Sequence, residues 1–288
     1  MSHSYSQRSH TWQSQVFHVG DIEVLRPFPS ALAQSIGPFV FLDHFGPIAA
    51  PGGKLPAHPH AGIEVVTYLI DGANEHTDSL GNVGRIGAGG AQWMRAGSGV
   101  IHAERNLLEL ADTMHGIQLW ARLPVSRQDC PPDYEAIQAQ DVPTWKSGEA
   151  ELRLLSGQFE GRVGPIPFAL SAFALHVSLS GSDALEIELP SSEHEYGVYG
   201  IAGKSVIFDT VAETLSTGTM HRIARTTRTI SVSGSGGSEA DILIIGGEPA
   251  PTPLHFGGPF VFDTREAILD AERRFREGEM GTLDGVPF

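Results

Sequence analysis

Two stretches decide how this chain reads: His58-Pro59-His60-Ala61-Gly62-Ile63-Glu64, and Ala96-Gly97-Ser98-Gly99-Val100-Ile101-His102-Ala103-Glu104. Each carries two side chains of metal-ligand type at i and i+2, His58 with His60 and His102 with Glu104. In a β-strand, residues two apart point to the same face. Two such pairs on neighbouring strands would bring three imidazoles and a carboxylate to one point, with positions left open for substrate.

Working outward, Ile63-Glu64-Val65-Val66-Thr67-Tyr68-Leu69-Ile70 is rich in β-branched residues and ends at the turn signal Asp71-Gly72. Further strands are expected at Val16–Leu25, Gly37–Leu42, Gln92–Ala96 and His115–Leu123. Between Pro131 and Ser147 the periodicity lapses and the segment reads as a connector. A second strand-rich region runs from Glu151 to Gly247, which places a domain boundary near residue 145 and gives domains 1–145 and 146–288. Asp263-Thr264-Arg265-Glu266 has the form of a helix start, with an acid as N-cap and a second acid three residues on. Ile268, Ala271 and Phe275 then mark one face of a short helix that stops around Gly278. Gly258-Pro259-Phe260-Val261-Phe262 nearly repeats Gly37-Pro38-Phe39-Val40-Phe41, which suggests a pseudo-symmetric pair of halves.

Composition narrows the function. Across 288 residues, 34 Gly and 19 Pro fit many short strands joined by turns. A net charge of −15, with no run of five basic residues, argues against direct binding of nucleic acid. The single cysteine, Cys130, rules out an internal disulfide framework and fits a reducing, cytoplasmic location. No stretch is apolar enough to span a bilayer. Gly84–Gly90 lacks the dinucleotide-binding spacing, and Ala96 stands where a serine-hydrolase elbow needs glycine.

The spacing of Gly52, His58, His60 and Glu64, and of Gly99, His102 and Asn106, fits the two signature motifs of the cupin superfamily. Gly97 stands where a proline is usual. More narrowly, the chain resembles the pirin family through Phe41–Pro47, His58–Gly72, Ala96–Asn106, His115–Pro124 and Gly258–Ile268. The resemblance implies an all-β protein of two tandem cupin-type jelly-roll barrels with a short C-terminal helix. It also implies one divalent metal, usually iron, at His58, His60, His102 and Glu104. The residues themselves leave Fe(II), Mn(II), Ni(II), Cu(II) and Zn(II) open, and the absence of thiolates excludes a structural cysteine site. No His-x-His or His-x-Glu pair follows in the second half, so the second barrel is expected to be metal-free.

The activity implied is that of a quercetin 2,3-dioxygenase-like oxidoreductase, cleaving a flavonol with O2. Glu104, or Glu64 if it reaches the cavity, would act as general base, and Val66, Tyr68 and Trp93 would flank the substrate. By parity with His58 and His60, Glu64 reads equally as a group orienting a ligand or as an ordinary strand residue. His44 and His115 read as hydrogen-bonded structural histidines before pocket residues, and His76 as a solvent-facing residue of a polar turn. The other class of function implied is a metal- or redox-dependent regulatory protein that binds a transcription factor or a metabolic enzyme.

Overall fold

The computed structural model describes residues 8–49, 54–107, 110–181, 183–249 and 253–283; Gly52 of the first motif lies outside them. Its strands belong to two compact units. The first gathers the described residues of 16–24, 41–141 and 251–288, and the second those of 1–15, 25–40 and 142–250. The chain therefore passes between units at Val142, near the boundary expected at 145, but each unit also takes a segment from the far half of the sequence. The two near-repeats follow this exchange, Gly37–Val40 lying in the second unit and Gly258–Phe262 in the first.

In the first unit a sheet of seven strands packs against one of four. The strands are β1 (Gln15–Val19), β2 (Ile22–Phe28), β3 (Phe39–Ala49), β4 (Lys54–His60), β5 (Ile63–Asp71), β6 (Ala73–Asp78), β7 (Val83–Gly87), β8 (Ala91–Arg95), β9 (Val100–Asn106), β10 (Thr113–Arg122) and β11 (Asp133–Ile137). The larger sheet runs β11-β8-β5-β10-β3-β2-β1 and the smaller β4-β9-β6-β7. Central β5 is buried from Ile63 to Leu69, its β-branched and aromatic residues covered on both faces and the polar Glu64 and Thr67 buried among them. Strand β11 lies inside the stretch read as a connector. It pairs with β8 through Tyr134↔Met94 and Glu135↔Trp93, cross-strand contacts that its own mixed sequence does not advertise.

The closing segment adds β12 (His255–Gly257), β13 (Phe260–Phe262) and the helix α1 (Arg265–Arg276). Phe260 bridges Ala61, just after the histidine pair, and Phe260, Phe262, Ile268, Ala271 and Met280 form one apolar cluster with it. The N-cap of α1 is Thr264, whose hydroxyl accepts from the Ala267 amide, and not the acid before it. Asp263 is diverted to an ion pair with Arg122, a buried guanidinium whose charge needs a partner. Gly278, at φ +76°, ends the helical segment as expected.

The second unit is built on Glu195–Phe208, Ala240–Gly247, Ala172–Leu179, Ala150–Ser156 and Thr144–Ser147, neighbours in that order. Leu152, Leu154, Leu175, Val177, Val198, Ile242 and Ile244 alternate into a single core. Both units are thus all-β, and α1 is the one α-helix among the described residues.

Candidate metal centre

Antiparallel pairing of β4 with β9 sets His102 opposite His58 and Val100 opposite His60. His58 and His60 share a face by alternation, so the three rings meet. Their centroids lie 4.3 Å (His58–His102), 4.9 Å (His58–His60) and 5.1 Å (His60–His102) apart.

The outer nitrogens fix the tautomers. His58 Nδ1 lies 2.8 Å from the Pro56 carbonyl oxygen, and His60 Nδ1 lies 3.1 Å from that of Pro259. A carbonyl only accepts, so both Nδ1 atoms carry the proton and both Nε2 atoms keep a lone pair. His58 Nε2 and His102 Nε2 are 3.0 Å apart, the separation of two ligands at right angles on an ion with bonds of about 2.1 Å. Burial, followed by the neighbouring imidazoles, pushes the His60 pKa down to about 3 and that of His102 well below its usual value. Burial lowers that of His58 as well. All three are neutral at pH 7, as ligation requires. The donor set and geometry therefore fit a first-row divalent ion.

Glu104 is placed differently from its partners. Its carboxylate groups with His76 and His102, not with His58 and His60. Three donors converge on Oε1: Thr67 Oγ1 at 3.2 Å, Asn74 Nδ2 at 3.2 Å, and Gln92 Nε2. No hydrogen bond among the described residues ends on Oε2. The cradle thus holds the carboxylate by one oxygen and leaves the other for a metal or a proton.

Beside Glu104, between the two sheets, lies a cavity of about 70 Å³. Val19, Ile22, Val24, Phe45, Leu55 and Met114 give it apolar walls, and Asp43, Thr67, Asn74, Asn106 and Gln118 add polar points. The expected flanking residues Val66, Tyr68 and Trp93 are not among its walls. Thr67 faces Glu104, so Val66 and Tyr68 fall on the opposite face of β5.

Glu64 shares that opposite face. It is buried but belongs to neither ligand group. Parity with His60 is lost because the chain turns at Gly62, where φ is +78°. His44 and His115 bond to each other through Nε2 at 2.7 Å and do not line the cavity. His76 does not face solvent: it is 1% exposed, and its Nδ1 lies 3.3 Å from His102 Nδ1.

Sequence reasoning passed over Asp43, Thr67, Asn74, Gln92 and Asp78. For His76 and Asp78 there was a signal, since His76-Thr77-Asp78 is a third pair at i and i+2.

Comparison with known proteins follows the same lines. The Pirin family model matches residues 21–121, and the model of the Pirin C-terminal cupin domain matches 174–281. A pirin-like protein of Caulobacter vibrioides is 33% identical over 263 residues, covering 89% of this chain and 92% of that one. A crystal structure of quercetin 2,3-dioxygenase from Acinetobacter baumannii superposes with a TM-score of 0.90 at 25% identity, covering 98% and 93% of the two chains. That of a bacterial pirin from Escherichia coli in complex with nickel(II) gives 0.64 at 19% identity, covering 84% and 100%, a likeness of fold alone.

Proposed function

This chain belongs to the pirin family, and from that premise we propose that it is a metal-dependent dioxygenase that cleaves a flavonol such as quercetin with O2. The observation that carries the reading is the pairing of three converging neutral imidazoles with a carboxylate fixed by one oxygen only. The ion would be held by His58, His60 and His102, with the Glu104 carboxylate available as a fourth ligand. When bound, it supplies Lewis acidity that lowers the pKa of a chelating hydroxyl, and a centre at which O2 reacts. Iron is the expected metal; the ligands equally suit zinc, manganese, nickel or copper.

The chain's own residues then do three things. Glu104 Oε2 takes the proton of the substrate hydroxyl, while Thr67, Asn74 and Gln92 keep the carboxylate from rotating away. Trp120 packs edge-on against His60 at 4.9 Å and stacks on Phe41 at 4.1 Å, holding the ligand ring in place. The apolar walls exclude water from the reacting edge.

The test is quercetin loss under oxygen by the metal-loaded protein, beside His58→Ala and Glu104→Gln. Turnover that His58→Ala abolishes and Glu104→Gln strongly reduces supports the proposal. Equal inertness of wild type and variants with iron, manganese, nickel and copper refutes it.

One observation favours a second reading. At about 70 Å³ the cavity is well below the roughly 300 Å³ of a typical ligand pocket, so only the edge of a flavonol fits. With so little room for a substrate beside Glu104, and with His58 partly exposed, the centre suits a regulatory protein whose metal would set the charge of a docking surface. Capture of a protein partner that depends on iron oxidation state, without flavonol turnover, selects it.

A further inference from the structure

We propose that His76 and Asp78 form a positioning relay behind His102, fixing its tautomer and strengthening it as a ligand. The inference rests on the reading that His58, His60 and His102 hold an ion, and it assigns a role to two residues outside that set.

Strand β6 lies against β9 with Asp78 opposite His102 and His76 opposite Glu104. Both side chains are buried, His76 at 1% and Asp78 at 2% exposure. A continuous path of contacts leads away from the centre: His102 Nδ1 to His76 Nδ1 at 3.3 Å, then His76 Nε2 to Asp78 Oδ2 at 3.1 Å. Asp78 is itself anchored by the turn that follows. Its Oδ1 accepts from the amides of Leu80 (2.9 Å) and Asn82 (3.1 Å), and its Oδ2 from Asn82 Nδ2 (2.9 Å).

Hydrogen-bond accounting along this path gives one arrangement compatible with ligation. The Asp78 carboxylate only accepts, so His76 Nε2 carries a proton and donates. A neutral His76 then offers a bare Nδ1, which accepts from His102 Nδ1–H. The His102 lone pair is thereby left on Nε2, the atom that faces His58 Nε2 at 3.0 Å. His58 and His60 have backbone carbonyls in the corresponding role; His102 has an imidazole backed by a carboxylate. Such outer partners orient a ligating histidine and raise its basicity.

His76 is not a further ligand of the same ion. It meets His102 on the Nδ1 side, away from the Nε2 atom shared with His58, and its own Nε2 is engaged by Asp78.

Its ring is held flat by Tyr134, whose centroid is 4.1 Å away at an interplanar angle of 8°. Gly84 makes room for that ring, since a Cβ there would fall 1.9 Å from Tyr134 Oη. Tyr134 Oη donates to Gln92 Oε1 at 3.4 Å, and Gln92 in turn holds Glu104. The relay and the carboxylate cradle therefore share one support.

The full chain, stripped with a chelator, is titrated with Co(II) in competition with a chelator of known affinity, and the visible absorption of the bound ion is recorded. His76→Phe keeps the stack on Tyr134 but has no acceptor, whereas His76→Gln supplies an acceptor for His102 and a donor for Asp78. His76→Phe is expected to weaken Co(II) binding by roughly 10–100-fold and to move its absorption bands, with the melting temperature of the metal-free protein little changed. His76→Gln is expected to recover most of the affinity, and Asp78→Asn to fall between the two.

Binding by His76→Phe within about twofold of wild type, with the same bands, overturns the relay. So does uptake of two ions per wild-type chain with the second lost in His76→Phe, which would make His76 a ligand. Failure of wild type itself to bind Co(II) refutes the metal reading instead. Should His76→Phe not fold, Asp78→Asn carries the same comparison, and wild-type affinity and bands in that variant overturn the relay.

Discussion

In the first unit three histidines from two strands turn their ring nitrogens toward one point, while in the second His176, His194 and His221 each end on a different partner. His176 takes Asp241 at 3.3 Å, His194 takes the Tyr196 hydroxyl at 3.4 Å, and His221 takes Thr11 Oγ1 at 2.7 Å. Both groups of three potential ligands found among the described residues lie in the first unit. The scaffold is of one kind in both, so what separates them is spacing and register. Ligands at i and i+2 on one strand, with a facing ligand across the ladder, make a centre; histidines scattered over a similar sheet make local hydrogen bonds.

That contrast can be broken or sharpened at several points. The largest effect is expected from His102→Ala, which should abolish stoichiometric metal binding and all turnover, whereas His176→Ala in the other unit should leave both unchanged; metal content after gel filtration reads the difference. Next, Glu104→Gln preserves the shape of the cradle but removes the base. It should cut kcat by about 10²–10⁴ while metal content persists, as steady-state kinetics with parallel elemental analysis would reveal.

Smaller effects concern stability. Asp263→Asn removes the carboxylate that pairs with the buried Arg122 guanidinium from the closing segment and should cost up to about 3 kcal/mol in denaturant unfolding. An acid dependence follows from His44, whose pKa burial and the neighbouring His115 push down to about 3. The unfolded chain takes up a proton near pH 6.5 that the folded one refuses, so stability present above that pH is lost as the pH falls toward 3. Between pH 7 and 5, His44→Gln should lose roughly 2 kcal/mol less stability than wild type, measured by urea unfolding of the metal-free protein. Of similar size, His221→Gln in the second unit should cost about 1–2 kcal/mol by disturbing its bond to Thr11 and its 3.4 Å contact with the buried Asp209 carboxylate, with metal affinity untouched.

Much of this molecule was legible because strand alternation is a local rule. His58, His60 and His102 could be placed together from spacing alone, and Ile63–Ile70 announced a buried strand. The residues that were not legible are those whose partners come from elsewhere. Asn74, Glu75, His76 and Asp78 form a polar run that hydropathy assigns to the surface, yet all four are buried. Each meets a complementary group: Glu75 takes Arg85 and Arg105, Asn74 takes Glu104, and Asp78 takes the amides of its own turn. Glu64 misled in the opposite way, since a parity count carried through Gly62 ignores the turn there. The role of Pro259 in orienting His60 was hidden by sequence distance, and the N-cap moved from Asp263 to Thr264 because a buried arginine claimed the acid.

The most direct test of the account is anomalous diffraction from crystals grown with nickel(II) or cobalt(II). One peak per chain, about 2.0–2.2 Å from the Nε2 atoms of His58, His60 and His102, is the expected result. A peak on the Nδ1 side of His102, between His76 and Glu104, or no peak within reach of the three imidazoles, would contradict it.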